Sequence, residues 1–371
     1  MFDEHVRHNI FHLAFRLASS AIRILSISLL FNFDGTFARD VLFILSSIYL
    51  FQVISGLEIY LDPNLSNEEH LSKIIHTGLL FSPLIFFYFW FNDFPLLWVL
   101  FFLLDYVLVE ISRKSNVSNK VLESNKIAFR RACFFFLATF TSFYHQNYFV
   151  LTLTLCTSFE VLLQLYRSDL RIKIPIKNLF KNLSLMAILL TITNRSIDLA
   201  IRSINQSNNG FIYEYWDFFL SIFGLTTTVT FYLFIVSHSK DILENKIRIP
   251  LRVYILQPFV IFISIFVSLV YFWIINGSVG FDVKSLRVII EIYFISLIMA
   301  LFQVHNWTLL ASRKEKNHGN ANIIFISITA LTGLVSAFIV PSEYVLYSLM
   351  AMLLITTISG IRKGASNVRQ V

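Results

Sequence analysis

His5, His8, His12, Arg16, Ser19, Arg23 and Ser26 follow one another at intervals of three and four residues. On an α-helix that spacing sets them along one face. A second stripe, Thr191, Arg195, Asp198, Arg202 and Asn205, has the same spacing in the other half of the chain. A guanidinium keeps its proton when partly desolvated, and its planar fork makes paired, charge-assisted bonds to a phosphate or carboxylate. The chemistry these stripes suggest is anion binding, and a diphosphate suits the fork well. Asp198 reaches Arg195 one turn back and Arg202 one turn ahead, so the second stripe also reads as an intrahelical ion-pair ladder. Even then one positive charge is left over to attract an anion.

These charges sit where charge is costly. The chain has 371 residues, 56% of them hydrophobic, 16% aromatic and only 14% charged, against roughly 25% charged in soluble domains. Apolar runs recur from end to end at the length of about 20 residues that crosses a hydrocarbon core of about 30 Å. They predict helices over 10–31, 41–60, 74–91, 94–111, 127–143, 147–166, 183–203, 216–237, 251–275, 286–310, 321–340 and 343–360. The expected fold class is thus an all-α polytopic membrane protein of about twelve spans. The first run is expected to stay as a mature helix, since it lacks a small-residue cleavage site. Arg23 falls about 13 residues, or some 20 Å, into that run, where an unpaired charge costs about 2.5–3.5 kcal/mol. It calls for a hydrated or anionic environment. Arg16, two turns inside, reads equally as a cavity residue or as a side chain snorkelling back to the headgroups. The three histidines belong at the membrane surface.

Charge alternation predicts orientation. The excess of basic residues, formally +7, lies in short loops on one side, for example Arg113, Lys114, Lys120, Lys126, Arg130 and Arg131, whereas the other side holds only Arg39, Lys284 and Arg287. By the positive-inside rule both termini are expected in the cytoplasm. Membrane topology explains this charge better than nucleic-acid binding does. In this topology Glu58, Glu110 and Glu160 fall near cytoplasmic ends, Glu58 remaining a candidate for coupling or ion pairing. Asp105 is deeper, suited either to pairing with an arginine of another helix or to binding a coupling cation. Glu291 follows Arg287 by four residues, a local ion pair. Pro83 and Pro258 should kink the third and ninth helices or free a carbonyl.

Connections on the outer side, such as 92–94 and 144–147, are short, and there is no Walker A sequence or Gly-rich phosphate loop. Cys133 and Cys156 both lie in apolar runs, which argues for neither a disulfide framework nor a metal site. The basic stretch from Arg167 to Lys181 separates six helices from six, giving bundles at 1–172 and 173–371. Halves of even helix number share one orientation, so a duplication would be a parallel repeat. Asn9-Ile10-Phe11 against Asn178-Leu179-Phe180, and Gly35 to Asp40 against Gly210 to Asp217, fit such a repeat.

In its six plus six organisation, cytoplasmic termini, basic middle loop and charged first helix in each half, the chain resembles the polysaccharide and O-antigen flippases of the multidrug/oligosaccharidyl-lipid/polysaccharide (MOP) exporter superfamily. The Tyr-Gly or Phe-Gly step frequent after the first helix of that family is absent from Asp34-Gly35-Thr36-Phe37, and the chain is shorter than most members. The resemblance implies alternating access around a central cavity in a bacterial inner membrane. Its implied substrate is an undecaprenyl-diphosphate-linked oligosaccharide, met by Arg16, Arg23, Arg195, Asp198 and Arg202, with a glycan polymerase and glycosyltransferases as pathway partners. No covalent step, cofactor or metal is required, so the chain is not read as an enzyme. Two alternatives stand beside it. A cation-coupled drug exporter of the same superfamily should favour an acidic cavity. A glycan polymerase or acyltransferase should carry a catalytic His-Asp or Arg pair beside a large external loop, and His305 has no acidic neighbour.

Overall fold

The computed structural model describes residues 4–57, 59, 65–118, 120–168, 185–207, 251–276, 283–311, 320–339 and 343–368. Glu58, most of the middle basic stretch, the repeat matches after residue 177 and the 216–237 span lie outside the described residues. The described residues form helices α1 (Glu4–Phe33), α2 (Gly35–Gly56), α3 (Asn67–Phe91), α4 (Leu97–Val117), α5 (Val121–Ser142), α6 (Gln146–Ser168), α7 (Leu185–Ser207), α8 (Leu251–Asn276), α9 (Val283–Ala311), α10 (Asn320–Phe338) and α11 (Glu343–Val368), with no strand among them. All of them overlap expected spans. Ala14–Phe33, Gly35–Gly56, Asn67–Phe91 and Gln146–Tyr166 are long and apolar enough to cross a membrane, and shorter apolar stretches run over Val253–Val267, Ile289–Phe302, Ile326–Phe338 and Tyr344–Ile358.

Local chemistry sets several ends. The Asp34 carboxylate accepts from Thr36 N and Phe37 N at 2.9 and 3.0 Å, capping α2 one residue after α1 stops. Ser66 and Glu69 form a reciprocal capping box on α3. Asp93 takes a left-handed φ of 55° in the tight link to α4, a conformation that Asp tolerates better than bulkier residues. Pro83 lies inside α3, where it removes a donor to the Leu79 carbonyl. Ser82 Oγ takes up that carbonyl at 2.8 Å, so the helix continues.

The outer surface is not that of a water-soluble protein, although an apolar core lies within. Phe87, Trp90 and Phe91 on α3, Leu155, Phe159 and Leu162 on α6, and Phe259, Phe262 and Phe266 on α8 all face outward. Asp105, Glu110, Glu160, Lys114 and Arg202 are buried. Apolar surface on this scale needs a solvent other than water, and helices that satisfy their own backbone are the form a bilayer accepts.

The chain divides into two compact units, Met1–Ala38 with Ser47–Ile188, and Arg39–Ser46 with Leu189–Val371. In the first, α1 packs on α5, α4 packs on α3, α5 and α6, and α5 packs on α6. In the second, α8 packs on α9, and α11 on α9 and α10; Ser203 Oγ on α7 donates to the Ala337 carbonyl on α10 at 2.5 Å. Small residues let such helices approach closely. A Cβ on Gly78 would lie 3.0 and 3.1 Å from Tyr106 ring atoms. Tyr106 is fully buried and its hydroxyl is bonded to Thr77 Oγ1 at 2.9 Å, so the ring has little room to retreat. Gly78→Leu should therefore cost about 1–3 kcal/mol and lower the melting temperature of the purified protein. Gly35→Ala, whose Cβ meets nothing nearer than Phe31 Cδ1 at 4.0 Å, should melt with the wild type; equal melting of both variants would deny the close contact.

Candidate functional site

Polar and charged side chains of α1, α2, α4 and α5 meet inside the first unit. Asp105 on α4 is 1% exposed. Arg131 on α5 holds it through two parallel bonds, Nε to Oδ1 at 2.7 Å and Nη2 to Oδ2 at 2.6 Å. Gln52 Nε2 on α2 donates to Oδ2 at 2.9 Å. Three donors on one carboxylate satisfy a group that would otherwise be very costly to bury.

Arg23 joins this group from α1, with Asp105, Arg131 and Tyr49 as its electrostatic neighbours. It is half-buried and makes no hydrogen bond or ion pair among the described residues. Two guanidinium groups thus face one carboxylate, and the fork of Arg131 already occupies that carboxylate. A positive charge remains in the interior of a helix unit, on a guanidinium that no hydrogen bond or ion pair engages among the described residues. Arg23 stands 10 residues, about 15 Å, from the Phe33 end of α1.

The other expected site residues are distributed as follows. Arg16 bonds to α5, Nε to Asn125 Oδ1 at 2.6 Å and Nη2 to Ser124 Oγ at 3.4 Å, while Ser19 Oγ donates to the Ala128 carbonyl at 3.0 Å. The upper part of the first stripe is therefore a seam between α1 and α5. In the second unit Arg202 pairs with Asp198 at 3.4 Å, one turn apart, and Asp198 also accepts from Ser46 Oγ at 2.8 Å. Arg195 is half-buried on α7. Among the remaining acids, Glu110 pairs with Arg113 at 2.7 Å, Glu160 with Arg130 at 2.6 Å and Glu291 with Arg287 at 2.8 Å. Among the described residues no three His, Cys, Asp or Glu side chains cluster as metal ligands, and Cys133 and Cys156 are half-buried free thiols.

Arg131, Gln52 and Tyr49 are members of the cluster that sequence pattern does not single out. Arg131 reads as a charge at the cytoplasmic edge because the expected helix opens only at 127, four residues before it, whereas α5 begins at Val121 and carries Arg131 ten residues inside. Its signal was the unmatched Asp105, which needed a basic partner on another helix.

An apolar exterior around buried, bonded charges defines an α-helical protein embedded in a membrane. No protein-family model, curated protein or solved structure matches the chain.

Proposed function

We propose that the chain is a flippase that carries a polyprenyl-diphosphate-linked oligosaccharide across a bacterial inner membrane for O-antigen, capsule or another surface glycan. In this reading twelve spans form two six-helix bundles, both termini are cytoplasmic, and the bundles rock to expose a cavity alternately to each face. The head group enters from the cytoplasm and its diphosphate meets the in-membrane arginines, while the polyprenyl tail stays in lipid. Upstream glycosyltransferases build the substrate and a polymerase consumes it.

The observation that supports this reading most is the guanidinium of Arg23, without a hydrogen bond or ion pair among the described residues, beside the satisfied Asp105–Arg131 pair. A drug exporter handling cations would gain from a free interior carboxylate, and Asp105 is taken up by Arg131 and Gln52. The test is deletion in the native host. Surface glycan should be lost while the lipid-linked repeat unit accumulates facing the cytoplasm. If that unit reached the outer face and stayed unpolymerised, the chain would be a polymerase instead.

A further inference from the structure

A cavity of about 450 Å³ lies at the end of the first unit where α3 begins, α4 ends and α5 begins. Lys114, Lys120, Lys126 and Arg130 line it against a single acid among the lining residues, Glu123. Arg130 is held by Glu160, so the lysines give the cavity its net positive charge. Lys120 and Lys126 are exposed, which leaves their ammonium groups free to turn toward a ligand. Such a cluster alone is common at a membrane surface.

A second feature is not. His70, in the first turn of α3, lines the same cavity, is 2% exposed, and its Nε2 has no hydrogen-bond partner among the described residues. Buried polar atoms are nearly always bonded, and one left open at the wall of a basic cavity marks the place of a missing partner. With its proton on Nε2, an imidazole donates to an anionic oxygen that the lysines have drawn in.

The place of the cavity, basic and set among the ends of helices with an apolar exterior, indicates where such an oxygen comes from. Gln164, near the end of α6, lines the cavity from the inward face of that helix and donates to Glu160 Oε1 at 2.6 Å, while Leu155, Phe159, Leu162 and Tyr166 on its outward face are exposed. Their spacing of four, three and four sets them on one lipid-facing side of α6, opposite Gln164, so the cavity opens at the level where the apolar exterior ends and headgroups begin. Basic pockets between transmembrane helices bind anionic headgroups by this combination. We propose that this cavity holds the phosphate group of an anionic lipid, with Lys114, Lys120 and Lys126 supplying charge and His70 a directed hydrogen bond. This site lies apart from Arg23 and does not rest on the transport reading.

The experiment uses the purified full chain in a neutral detergent. Native mass spectrometry with short-chain phosphatidylglycerol and, separately, phosphatidylcholine should show preferential retention of the anionic lipid. The Lys120→Gln/Lys126→Gln variant, whose exposed positions should leave the melting temperature unchanged, should lose about tenfold or more of that preference. Equal retention of the two lipids, or undiminished phosphatidylglycerol binding by the double variant, would overturn the site. Displacement of phosphatidylglycerol by millimolar inorganic phosphate would keep the phosphate site and overturn the lipid as its source.

Discussion

Asp105→Ala is expected to destabilise the protein by about 3–5 kcal/mol, the cost of leaving a buried charge without its partner. The carboxylate is 1% exposed and receives both arms of the Arg131 fork together with Gln52. Removing it leaves Arg131 and Arg23 as neighbouring cations without the carboxylate that attracts both. Arg131→Ala should be milder, because Asp105 keeps Gln52 and gains Arg23 as its remaining cationic neighbour. The double variant Asp105→Leu/Arg131→Met should recover most of the loss, since apolar groups of similar volume replace an ion pair at little cost. Thermal unfolding of the purified proteins, with abundance in the membrane as a second readout, gives the order. A double variant no better than Asp105→Ala alone would mean that the damage came from lost packing and not from an orphaned charge.

How far these relations are legible in the sequence depends on their range. The helices follow from apolar runs, so α1 to α7 and α8 to α11 overlap the expected stretches, and four of them are long and apolar enough to cross a bilayer. Ends are harder where charged side chains continue a helix past its apolar part. At α5 the helix extends back to Val121, so Lys126 rides on it instead of on a loop, and Arg130 and Arg131 lie deeper in it than the expected start at 127 places them. Local pairs such as Arg202 with Asp198 and Arg287 with Glu291 are written in a spacing of four. Partners on other helices are not written anywhere in the local pattern. Asp105 announces only that it needs one, and Arg131 and Gln52 emerge when α2, α4 and α5 are brought together. Arg16 shows the same limit: snorkelling and cavity lining are the two readings its depth allows, whereas its guanidinium bonds across to Asn125 and Ser124.

Arg23→Ala is expected to leave the protein inserted and abundant yet abolish glycan export. Its guanidinium makes no hydrogen bond or ion pair among the described residues, so truncation orphans no partner and even relieves repulsion with Arg131. What it removes, in the proposed function, is a charge-assisted bond to the diphosphate worth about 1.5–3 kcal/mol, or roughly ten- to a hundredfold in affinity. Arg23→Lys should recover part of the activity, since an ammonium keeps the charge without the bidentate fork. Arg202→Ala supplies the contrast. That guanidinium is 8% exposed and paired with Asp198, so its loss should appear first as reduced abundance and only through that as reduced export. The measurement is surface glycan per unit of membrane-resident protein for each variant. Full export by Arg23→Ala at normal abundance would make this arginine a tolerated charge, and anion binding at the Asp105–Arg131 cluster would no longer explain how the protein works.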